Sequence, residues 1–341
     1  MKKNRNITIK DVARLADVSI STVSRVLNNP DMVQSEKRER VERAIEELNF
    51  IPNPMARNLI HGDLRTVAVI VTNIMHDGIG KIVEGISSVF QDQDIDMLLF
   101  SSEDNPRMER KHYQYLTKNL VDGVIFVSGC GAFVNFDRIV KVMPVVLVDR
   151  EERYPTVDTI NVDERQGMET LYGHLLDQGH KRIGLLAGDI RTKGGMRRIE
   201  AFKSLVEAQG KIYDRNDVEY SLWSYAGGRD SFERLLQRKP DLTAIICASD
   251  VLAIGAMGKA NDLGYAIPDD LALTGFDNFP IGEHLSPSMT TLSFPHQCMG
   301  EMAAQAILDR YARPDKPGTY QKLPLHLIAR SSTKKKQPEE V

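Results

Sequence analysis

Short apolar runs alternate with amphipathic stretches along most of this chain, and no other feature limits its possible folds as strongly. Helical stretches such as Gly80–Gln91 and Glu164–Gln178 lie between the runs. Short buried strands joined by helical crossovers predict parallel, doubly wound sheets, so the expected fold class is α/β. There are too many runs for one compact sheet, and we therefore expect two similar lobes. The runs interpreted as strands are Val67–Val71, Met97–Phe100, Gly123–Val127, Val145–Val148, Ile183–Leu186, Ala244–Cys247 and Leu271–Phe276.

The composition is that of an ordinary globular protein, with 341 residues, 27% charged and 42% hydrophobic, which allows two or three domains. The N-terminus lacks the pattern of a secretory signal, and no run approaches the roughly 18 apolar residues of a membrane helix. Cys130, Cys247 and Cys298 are far apart and form no CxxC. These features predict a reduced, cytoplasmic protein with no membrane segment and no zinc site.

The charge distribution separates a small N-terminal region from the rest of the chain. The net charge is −3, which by itself argues against a nucleic-acid partner. Residues 1–29 nevertheless carry a net charge of +4, so the remaining residues carry −7. This asymmetry indicates a basic module attached to an acidic body, although a short basic segment is often only a solvated end. The basic residues are Lys2, Lys3, Arg5, Lys10, Arg14 and Arg25.

The N-terminal region has the pattern of three short helices. Thr8 can cap a first helix, whose apolar positions Ile9, Val12, Ala13 and Ala16 have helical spacing. After a break at Asp17-Val18-Ser19, a second helix repeats Val23, Val26 and Leu27 on one face, and a third runs from about Ser35 to Asn49. The apolar stripe of the third helix is Val41, Ala44, Ile45 and Leu48. Three helices with a tight turn between the first two predict a helix-turn-helix module.

The outer face of the second helix is small and polar, as a helix that enters the major groove of DNA requires. Arg25 can offer a bidentate fork to guanine, and Ile20 can pack on a thymine methyl. A capped surface helix in some other three-helix bundle is the alternative interpretation. The face consists of Ser19, Ile20, Ser21, Thr22, Ser24 and Arg25.

The stretch TIKDVARLADVSISTVSRVLNNPDMV, with LNFIPNPMARNL after it, resembles the headpiece of the LacI/GalR family of bacterial transcription repressors. The resemblance implies a homodimer that represses transcription from a palindromic double-stranded DNA operator. It also implies that Ile20, Ser21 and Arg25 read bases. Residues at backbone-contacting positions are Thr8, Ser19, Thr22, Ser24 and Asn28.

By the same resemblance, residues 53–59 form a hinge helix, with Leu59 as a wedge between base steps in the minor groove. Asn53 is a good N-cap and Pro54 suits the first helical position. Helices shorter than about 12 residues are marginal in water, so this one should order only when paired on DNA. The alternative is an ordinary linker helix. The predicted DNA-contacting residues of the hinge are Asn53, Ala56, Arg57 and Leu59.

The body resembles the periplasmic sugar-binding fold that this family shares, in which a small effector binds between two lobes. The expected domains are a headpiece (1–52), a hinge and linker (53–62), a core (63–332) and a charged tail (333–341). The expected first lobe is about 63–163 with 294–321, and the second about 164–293 with 322–332; the chain crosses near 163, 293 and 322. Residues matching effector positions are His76, Asp77, Ile79, Asp149, Arg198, Trp223, Ser249, Asp250, Asp277 and Phe294.

Carboxylates, an Arg fork and an aromatic face suit a polyol, so a sugar or sugar derivative is the expected effector. Each residue also has a structural explanation, since an Asp at a strand end often caps a helix and a lone Trp is usually core. Where many family members carry an aromatic pair, this chain has His76-Asp77-Gly78-Ile79. The pocket is therefore expected to take a larger or charged ligand, or to be remodelled. The alternatives are a nucleoside or purine effector and a protein coregulator. A purine is the less favoured effector because Thr192 and Gly194 stand where purine-responsive family members have Arg and Thr. Whether the effector acts as an inducer or a corepressor stays open.

The last residues, SSTKKKQPEEV, contain no heptad pattern, which favours a homodimer over a tetramer. An enzyme and a transport binding protein are the alternatives from other classes of protein. In an enzyme, Gly78-Ile79-Gly80 would begin a dinucleotide fingerprint, but Val83 stands where the third glycine belongs, and no hydrolase or kinase motif is present. A transport binding protein would share the body but not the headpiece. We therefore expect no enzyme activity, no cofactor and no metal.

Overall fold

Residues 7–48 fold into three helices: α1 (Ile9–Leu15), α2 (Ile20–Asn28) and α3 (Ser35–Leu48), with a 3-10 turn at Pro30–Met32. The structure is a computed structural model. It describes residues 7–48, 50, 64, 66–103, 105–116, 121–129 and 136–333. The chain divides into two units, residues 1–63 and 64–341, which we call the headpiece and the body.

Local hydrogen bonds fix the ends of the headpiece helices. The Asp11 carboxylate accepts from the backbone N–H of Thr8 at 3.0 Å and from its hydroxyl at 2.7 Å, so α1 begins after Thr8 as the sequence predicts. In the turn before α2, Asp17 has a φ of +51°, and Arg40 of α3 donates to its carbonyl oxygen at 2.9 Å. The third helix thus holds the tight turn in place.

The headpiece core takes one fully buried valine from each helix, namely Val12, Val23 and Val41. Ile45 and Leu48 of the predicted third stripe are half-buried against this core. The expected helix-turn-helix arrangement is therefore confirmed. Asn49, the predicted last residue of the third helix, lies outside the described residues.

The first lobe of the body contains a six-stranded sheet in which all described pairs are parallel. Its order is β11–β5–β4–β3–β1–β2. The strands are β1 (Thr66–Val71), β2 (Asp96–Ser101), β3 (Gly123–Val127), β4 (Val145–Val148), β5 (Asp158–Val162) and β11 (Tyr320–Leu323).

The second lobe contains a four-stranded parallel sheet in the order β7–β6–β8–β9. Its strands are β6 (Ile183–Leu186), β7 (Val218–Glu219), β8 (Ala244–Cys247) and β9 (Ala272–Thr274). A separate antiparallel ribbon pairs β10 (Thr291–Ser293) with β12 (His326–Ile328). The chain passes from one lobe to the other at Asp163, within residues 291–296 and within residues 323–326.

Helices join the strands, as expected for a doubly wound α/β fold. They are α4 (Asp77–Gln91), α5 (Pro106–Leu116), α6 (Phe136–Val140), α7 (Glu164–Asp177), α8 (Lys193–Ala208), α9 (Tyr225–Arg238), α10 (Asp250–Asp262) and α11 (His296–Ala312). Further 3-10 turns lie at Arg215–Asp217, Pro280–Glu283 and Ser331–Thr333. In the described part of the chain, no helix is long and apolar enough to cross a membrane.

Each of the seven apolar runs contains a strand, although the last is shorter than predicted, at Ala272–Thr274. The helix expected from Gly80 begins earlier, at Asp77. Five strands escaped prediction because they are short or polar; Asp158–Val162 is an example, buried because strands flank it on both sides.

Two helices of the first lobe pack with their backbones in close contact. Gly85 of α4 lies against the carbonyl of Gln297, and Gly300 of α11 lies against the carbonyl of Ile82. A Cβ at either glycine would overlap that carbonyl, so only glycine permits this approach. The packing places the N-terminus of α11 beside the N-terminus of α4, at the edge of the first lobe where its strands end.

Candidate functional site

The outer face of α2 carries a free cation and an exposed apolar side chain. Ile20 is 45% exposed, and Ser19, Ser21 and Arg25 are also exposed. Among the described residues, the Arg25 guanidinium has neither a hydrogen bond nor an ion pair, whereas Arg14, Arg38, Arg40 and Arg43 each pair with a carboxylate. Arg25 therefore keeps all of its donors available for a partner.

Hydroxyl groups organise the beginning of this helix. The Ser19 oxygen accepts from the backbone N–H of Thr22 at 3.1 Å, which makes Ser19 the N-cap of α2. It also lies 2.7 Å from the Ser21 hydroxyl and 2.8 Å from that of Thr22. Ser24 is half-buried. The small side chains leave the helix N-terminus open to approach by a bulky ligand.

Several predicted DNA contacts are beyond what the structure describes. Asn28 ends α2, but its side chain is not described, and Thr8 is exposed with its hydroxyl donated to Asp11. The predicted hinge contacts Asn53, Ala56, Arg57 and Leu59 lie outside the described residues.

In the body, the predicted effector residues gather where strands end and the lobes meet. Asp149 directly follows β4 and has a φ of +52°. Its carboxylate accepts from the Ser128 hydroxyl at 2.7 Å, and Ser128 follows the neighbouring strand β3. The carboxyl ends of parallel strands are where open α/β sheets bind ligands.

Arg198 is the buried cation of the second lobe. Its Nη2 lies 3.0 Å from the Glu164 carboxylate, and its Nη1 donates to the carbonyl of Ala248. The guanidinium also lies 3.8 Å from the Phe276 ring centroid and 5.7 Å from that of Trp223. Arg198 thus connects the segments that contain Glu164, Ala248 and Phe276. It therefore has a structural role in addition to its predicted contact with a ligand.

Asp277 lies near Arg198 and is 7% exposed. Burial raises the pKa of its carboxyl well above the usual range; Arg198 opposes this shift and the charge of Asp250 adds to it. Such a group favours the protonated form and can then donate a hydrogen bond as well as accept one.

Asp250 and Ser249 have structural partners. The Asp250 carboxylate is fully buried and accepts from the Thr291 hydroxyl at 2.6 Å and from the backbone N–H of Phe279 at 2.7 Å. Burial raises its pKa, against these hydrogen bonds. The Ser249 hydroxyl accepts from the Leu252 N–H at 3.2 Å and caps α10. These contacts favour the helix-capping interpretation, and an effector contact by either residue stays a prediction.

A row of stacked rings crosses the region where the lobes meet. Phe294 stacks on His296 with 4.2 Å between ring centroids and 17° between planes. The ring of Phe279 also stacks on His296, with 6.2 Å between ring centroids. The ring of His76 meets Phe279 edge-on, again with 6.2 Å between centroids. The row provides flat apolar surface interrupted by imidazole nitrogens.

His296 is a site residue that the sequence did not reveal. It is 6% exposed, and burial lowers its pKa to about 3, with a further lowering by His76 that Asp149 partly opposes. The imidazole is therefore neutral at physiological pH and offers one donor and one acceptor. Its only sequence signal was its position two residues after Phe294.

The structure explains the unusual loop His76-Asp77-Gly78-Ile79. A Cβ at position 78 would overlap the His296 ring, so the glycine makes room for this histidine. Ile79 belongs to the first turn of α4 and is buried in the core, and His76 precedes α4 as its N-cap residue. The Asp77 side chain is not described. Of the two expectations for this loop, the geometry favours a remodelled pocket.

Trp223 lies over Gly188, where any side chain would overlap its indole. Its half-buried ring faces the Arg198 guanidinium and packs against the second-lobe core, which supports the core interpretation, and its contact with an effector stays a prediction. Together the region offers carboxylates, an imidazole, a guanidinium and flat rings, which suit a ligand with hydroxyl groups and apolar faces. Within the described residues no group of three or more metal-ligating side chains could hold a metal ion.

The comparisons with known proteins match both parts of the chain. Residues 8–53 match the model of bacterial regulatory proteins of the lacI family, and residues 172–333 match a periplasmic binding protein-like domain. The ribose operon repressor of Halalkalibacterium halodurans is 31% identical over 329 residues, which cover 96% of this chain and 97% of the repressor. The chain belongs to the LacI family. It is a DNA-binding transcriptional regulator, and relatives such as this ribose operon repressor and the transcriptional repressor CytR of Escherichia coli are repressors.

Solved structures agree with this membership. The transcriptional regulator CelR in complex with cellobiose is 28% identical, with a TM-score of 0.71, and the match covers 96% of this chain and 99% of CelR. A lac repressor dimer bound to operator has a TM-score of 0.81 at 24% identity, covering 96% of this chain and 99% of that one, which shows the shared fold. The headpiece-and-lobes architecture expected from the sequence is therefore that of the LacI family.

Arg197 and Glu164 are two further residues that the sequence did not single out in this LacI-family protein. Arg197 is adjacent to the predicted Arg198, and Glu164 is the first residue of α7. Both side chains form ion pairs at the junction of the lobes. The dipeptide Arg197-Arg198 carried a weak signal, because two adjacent residues of a helix point in different directions and cannot both be surface charges of one face.

Proposed function

We propose that this protein represses transcription as a homodimer on a palindromic operator and that a small metabolite between the lobes of the body controls it. The observation that carries the DNA half is the exposed α2 face, on which Arg25 has no ion pair with any residue that the structure describes. A bidentate Arg–guanine contact needs two free N–H groups on one edge of the guanidinium, and an exposed Ile20 suits a thymine methyl. The lac repressor of the same fold acts as a dimer on its operator, which supports the proposed assembly.

The proposed base contacts are Ile20, Ser21 and Arg25. Residues 53–62 would form the hinge, with Leu59 as its wedge. Leu59→Ala is expected to weaken operator binding and leave ligand binding by the body nearly unchanged, since the wedge contacts only DNA. Equal operator affinity of the variant and the wild type would exclude the wedge. The proposed domains are those expected above, 1–52, 53–62, 63–332 and 333–341.

Selection of binding sites from a random duplex library tests the DNA half. We expect enriched sequences with two inverted half-sites, because a two-fold dimer places its recognition helices about one helical turn apart. Binding that depends on salt but not on sequence would contradict a specific operator.

For the effector, we propose a sugar or sugar derivative. Support comes from the pairing of carboxylates and a guanidinium with flat rings at the lobe junction, and from the names of two relatives, a ribose operon repressor and a CelR–cellobiose complex. We propose Asp149, Arg198, Trp223, Asp277, Phe294 and His76 as its contacts. The site would bind and release its ligand unchanged, without a catalytic step or a cofactor, and the protein would work in the cytoplasm, where the DNA is.

A thermal-shift screen of the full chain against sugars, sugar phosphates, nucleosides and purines tests the effector class. A ligand at 100 times its Kd adds about 2.7 kcal/mol to the folded state, a clear rise in Tm. A hit among nucleosides instead of sugars would replace the proposed class. No rise in Tm with any compound of the panel would contradict a small polyol effector and favour a protein coregulator. Operator titration with the hit then distinguishes an inducer from a corepressor.

A further inference from the structure

Arg197 sits between carboxylates that belong to different lobes. From α8 of the second lobe, its Nη2 lies 3.0 Å from Asp149 and its Nη1 lies 3.5 Å from Glu151, both in the segment that follows β4 of the first lobe. Its Nε pairs with Glu164 at the start of α7, in its own lobe. The side chain is 21% exposed, so solvent screens these contacts less than those of a surface pair.

A second cation on the same helix face repeats the contact. Lys193 precedes Arg197 by one helical turn, and its Nζ lies 2.5 Å from the Glu152 carboxylate of the first lobe. Two cations of α8 therefore meet three carboxylates of residues 149–152. The second lobe therefore presents cations to the carboxylates that the first lobe presents at the junction.

The balance of forces on Arg197 favours its charged, paired form. Burial by itself lowers its pKa, and the carboxylates of Asp149 and Glu164 more than reverse this, so the pKa is raised above its usual range. Removing the cation would break the ion pairs of both Asp149 and Glu151 with the second lobe.

We propose that Arg197 and Lys193 form an ion latch that holds the two lobes together, and that Arg197 is the positioning residue for Asp149. One oxygen of Asp149 pairs with Arg197 and the other accepts from the Ser128 hydroxyl. A ligand hydroxyl that donates to Asp149 must share or displace these partners. Ligand entry and lobe closure are then coupled through a single carboxylate, a consequence that rests on the proposed effector site.

The latch can be tested without any effector, because the chain has one tryptophan and it lies at the lobe junction. Trp223 is half-buried beside Arg198. In the full-length protein, loosening the lobes admits acrylamide to the indole. For Arg197→Met we expect the quenching constant to rise about twofold, as the open arrangement gains population. Arg197→Lys should recover part of the difference, since it keeps the charge but not the fork.

Arg165→Met is the matched control. Among the described residues Arg165 pairs within its own helix, with Glu169 at 3.0 Å, and its side chain is 73% exposed. Its loss should leave quenching unchanged. Lys193→Met should give a smaller rise than Arg197→Met, because Lys193 is the more exposed of the two cations.

Salt provides a readout that simple packing would not move. Raising salt from about 0.1 M to about 1 M shortens the Debye length from about 10 Å to about 3 Å. Wild-type quenching should rise towards that of Arg197→Met, whose own value should change little. If Arg197→Met fails to fold, Lys193→Met and the salt series decide the question.

Unchanged quenching in a folded Arg197→Met protein would overturn the latch, as would an equal rise in Arg165→Met. Failure of the proposed function is a different result. It would appear as wild-type protein without sequence-specific DNA binding, whatever the quenching data show.

Discussion

The headpiece and the body use arginine in opposite ways. Arg25, on the outer face of α2, is exposed and has no partner among the described residues. Arg198, at the lobe junction, is buried and shares its donors between the Glu164 carboxylate and the Ala248 carbonyl. The first can bind a partner without breaking any contact, whereas the second can bind one only by giving up or sharing contacts.

This difference suits the two proposed tasks. A surface that must find one DNA sequence among many profits from donors that are already free and held on a rigid helix. A regulatory site must make the protein respond, and a ligand changes an equilibrium only through its different affinities for two states. In the proposed effector site, pre-paired groups such as Arg198, Arg197 and Asp149 would supply that difference, because a ligand that binds them would compete with contacts that hold the structure together.

The largest test of the comparison removes the buried arginine. Arg198→Met leaves the Ala248 carbonyl without its donor and takes one of two cations from Glu164. We expect the free energy of unfolding of the body to fall by about 3–5 kcal/mol, as for other broken buried pairs. Urea unfolding followed by Trp223 fluorescence measures it.

Arg229→Met is the control for that measurement, since it removes an exposed pair with Asp262 in the same lobe. Its expected effect is below about 1 kcal/mol. Similar losses in the two variants would mean that burial does not distinguish these arginines.

A change of pH tests the buried imidazole of the junction. The pKa of His296 in the folded protein is about 3, below its ordinary value of 6.5. Between these values the unfolded chain binds the proton and the folded one does not. The contribution of His296 is therefore complete above about pH 6.5 and is lost as pH falls, by up to about 1.4 kcal/mol per pH unit.

His296→Gln should remove this slope, and His326→Gln, at an exposed site, should keep it. Asp277 acts in the opposite direction, since its raised pKa favours the protonated folded form as pH falls. Asp277 is present in both proteins, so its contribution cancels when the free energy of unfolding of the variant is subtracted from that of the wild type. If the free energies of unfolding of wild type and His296→Gln differ by the same amount at pH 6 and at pH 4.5, the lowered pKa of His296 is contradicted.

On the headpiece, Arg25→Met should weaken binding to the selected operator by about 1–3 kcal/mol, or roughly fivefold to 150-fold, without lowering stability. Fluorescence anisotropy with the selected duplex and a scrambled one measures it. Arg43→Met removes the same charge from an exposed pair on α3 and should affect both duplexes equally and weakly. An equal effect of both substitutions would show that Arg25 contributes only non-specific electrostatic attraction to DNA.

The smallest expected effect concerns the cap of α2. Ser19→Ala removes the hydroxyl that accepts from the Thr22 N–H and should destabilise the start of α2 by about 1 kcal/mol. Hydrogen exchange of the α2 amides in the full chain detects it. Ser21→Ala, within the same helix, leaves the cap in place and should have little effect. Faster exchange in both variants would show that the hydroxyl cluster, and not the cap, orders this turn.

The headpiece and the body also differ in how much of their structure could be predicted from the sequence. The headpiece was predictable in detail, because its helix starts depend on neighbours in sequence, such as Thr8 with Asp11 and Ser19 with Thr22. The long apolar runs gave the strands of both lobes. The polar strand Asp158–Val162 was missed because its burial comes from strands on both sides and not from its own side chains.

At the lobe junction, sequence reasoning found the residue types but not their partners. Asp149, Arg198 and Asp277 were singled out, and the structure brings all three to the junction. Arg197 was passed over in favour of its neighbour, although it is Arg197 that reaches the carboxylates of the other lobe. Helix geometry sends adjacent side chains in different directions, and which direction faces the other lobe depends on how the helix is docked.

By itself, the sequence determined the α/β fold, the helix-turn-helix and the exposed polar face of α2, because periodicity and caps act over a few residues. Only the tertiary structure decided that His296 fills the space beside Gly78. That contact depends on the close packing of α4 on α11 through Gly85 and Gly300, segments far apart in the chain. Contacts of this kind arise from the shape of the whole body, and no local pattern of residues encodes them.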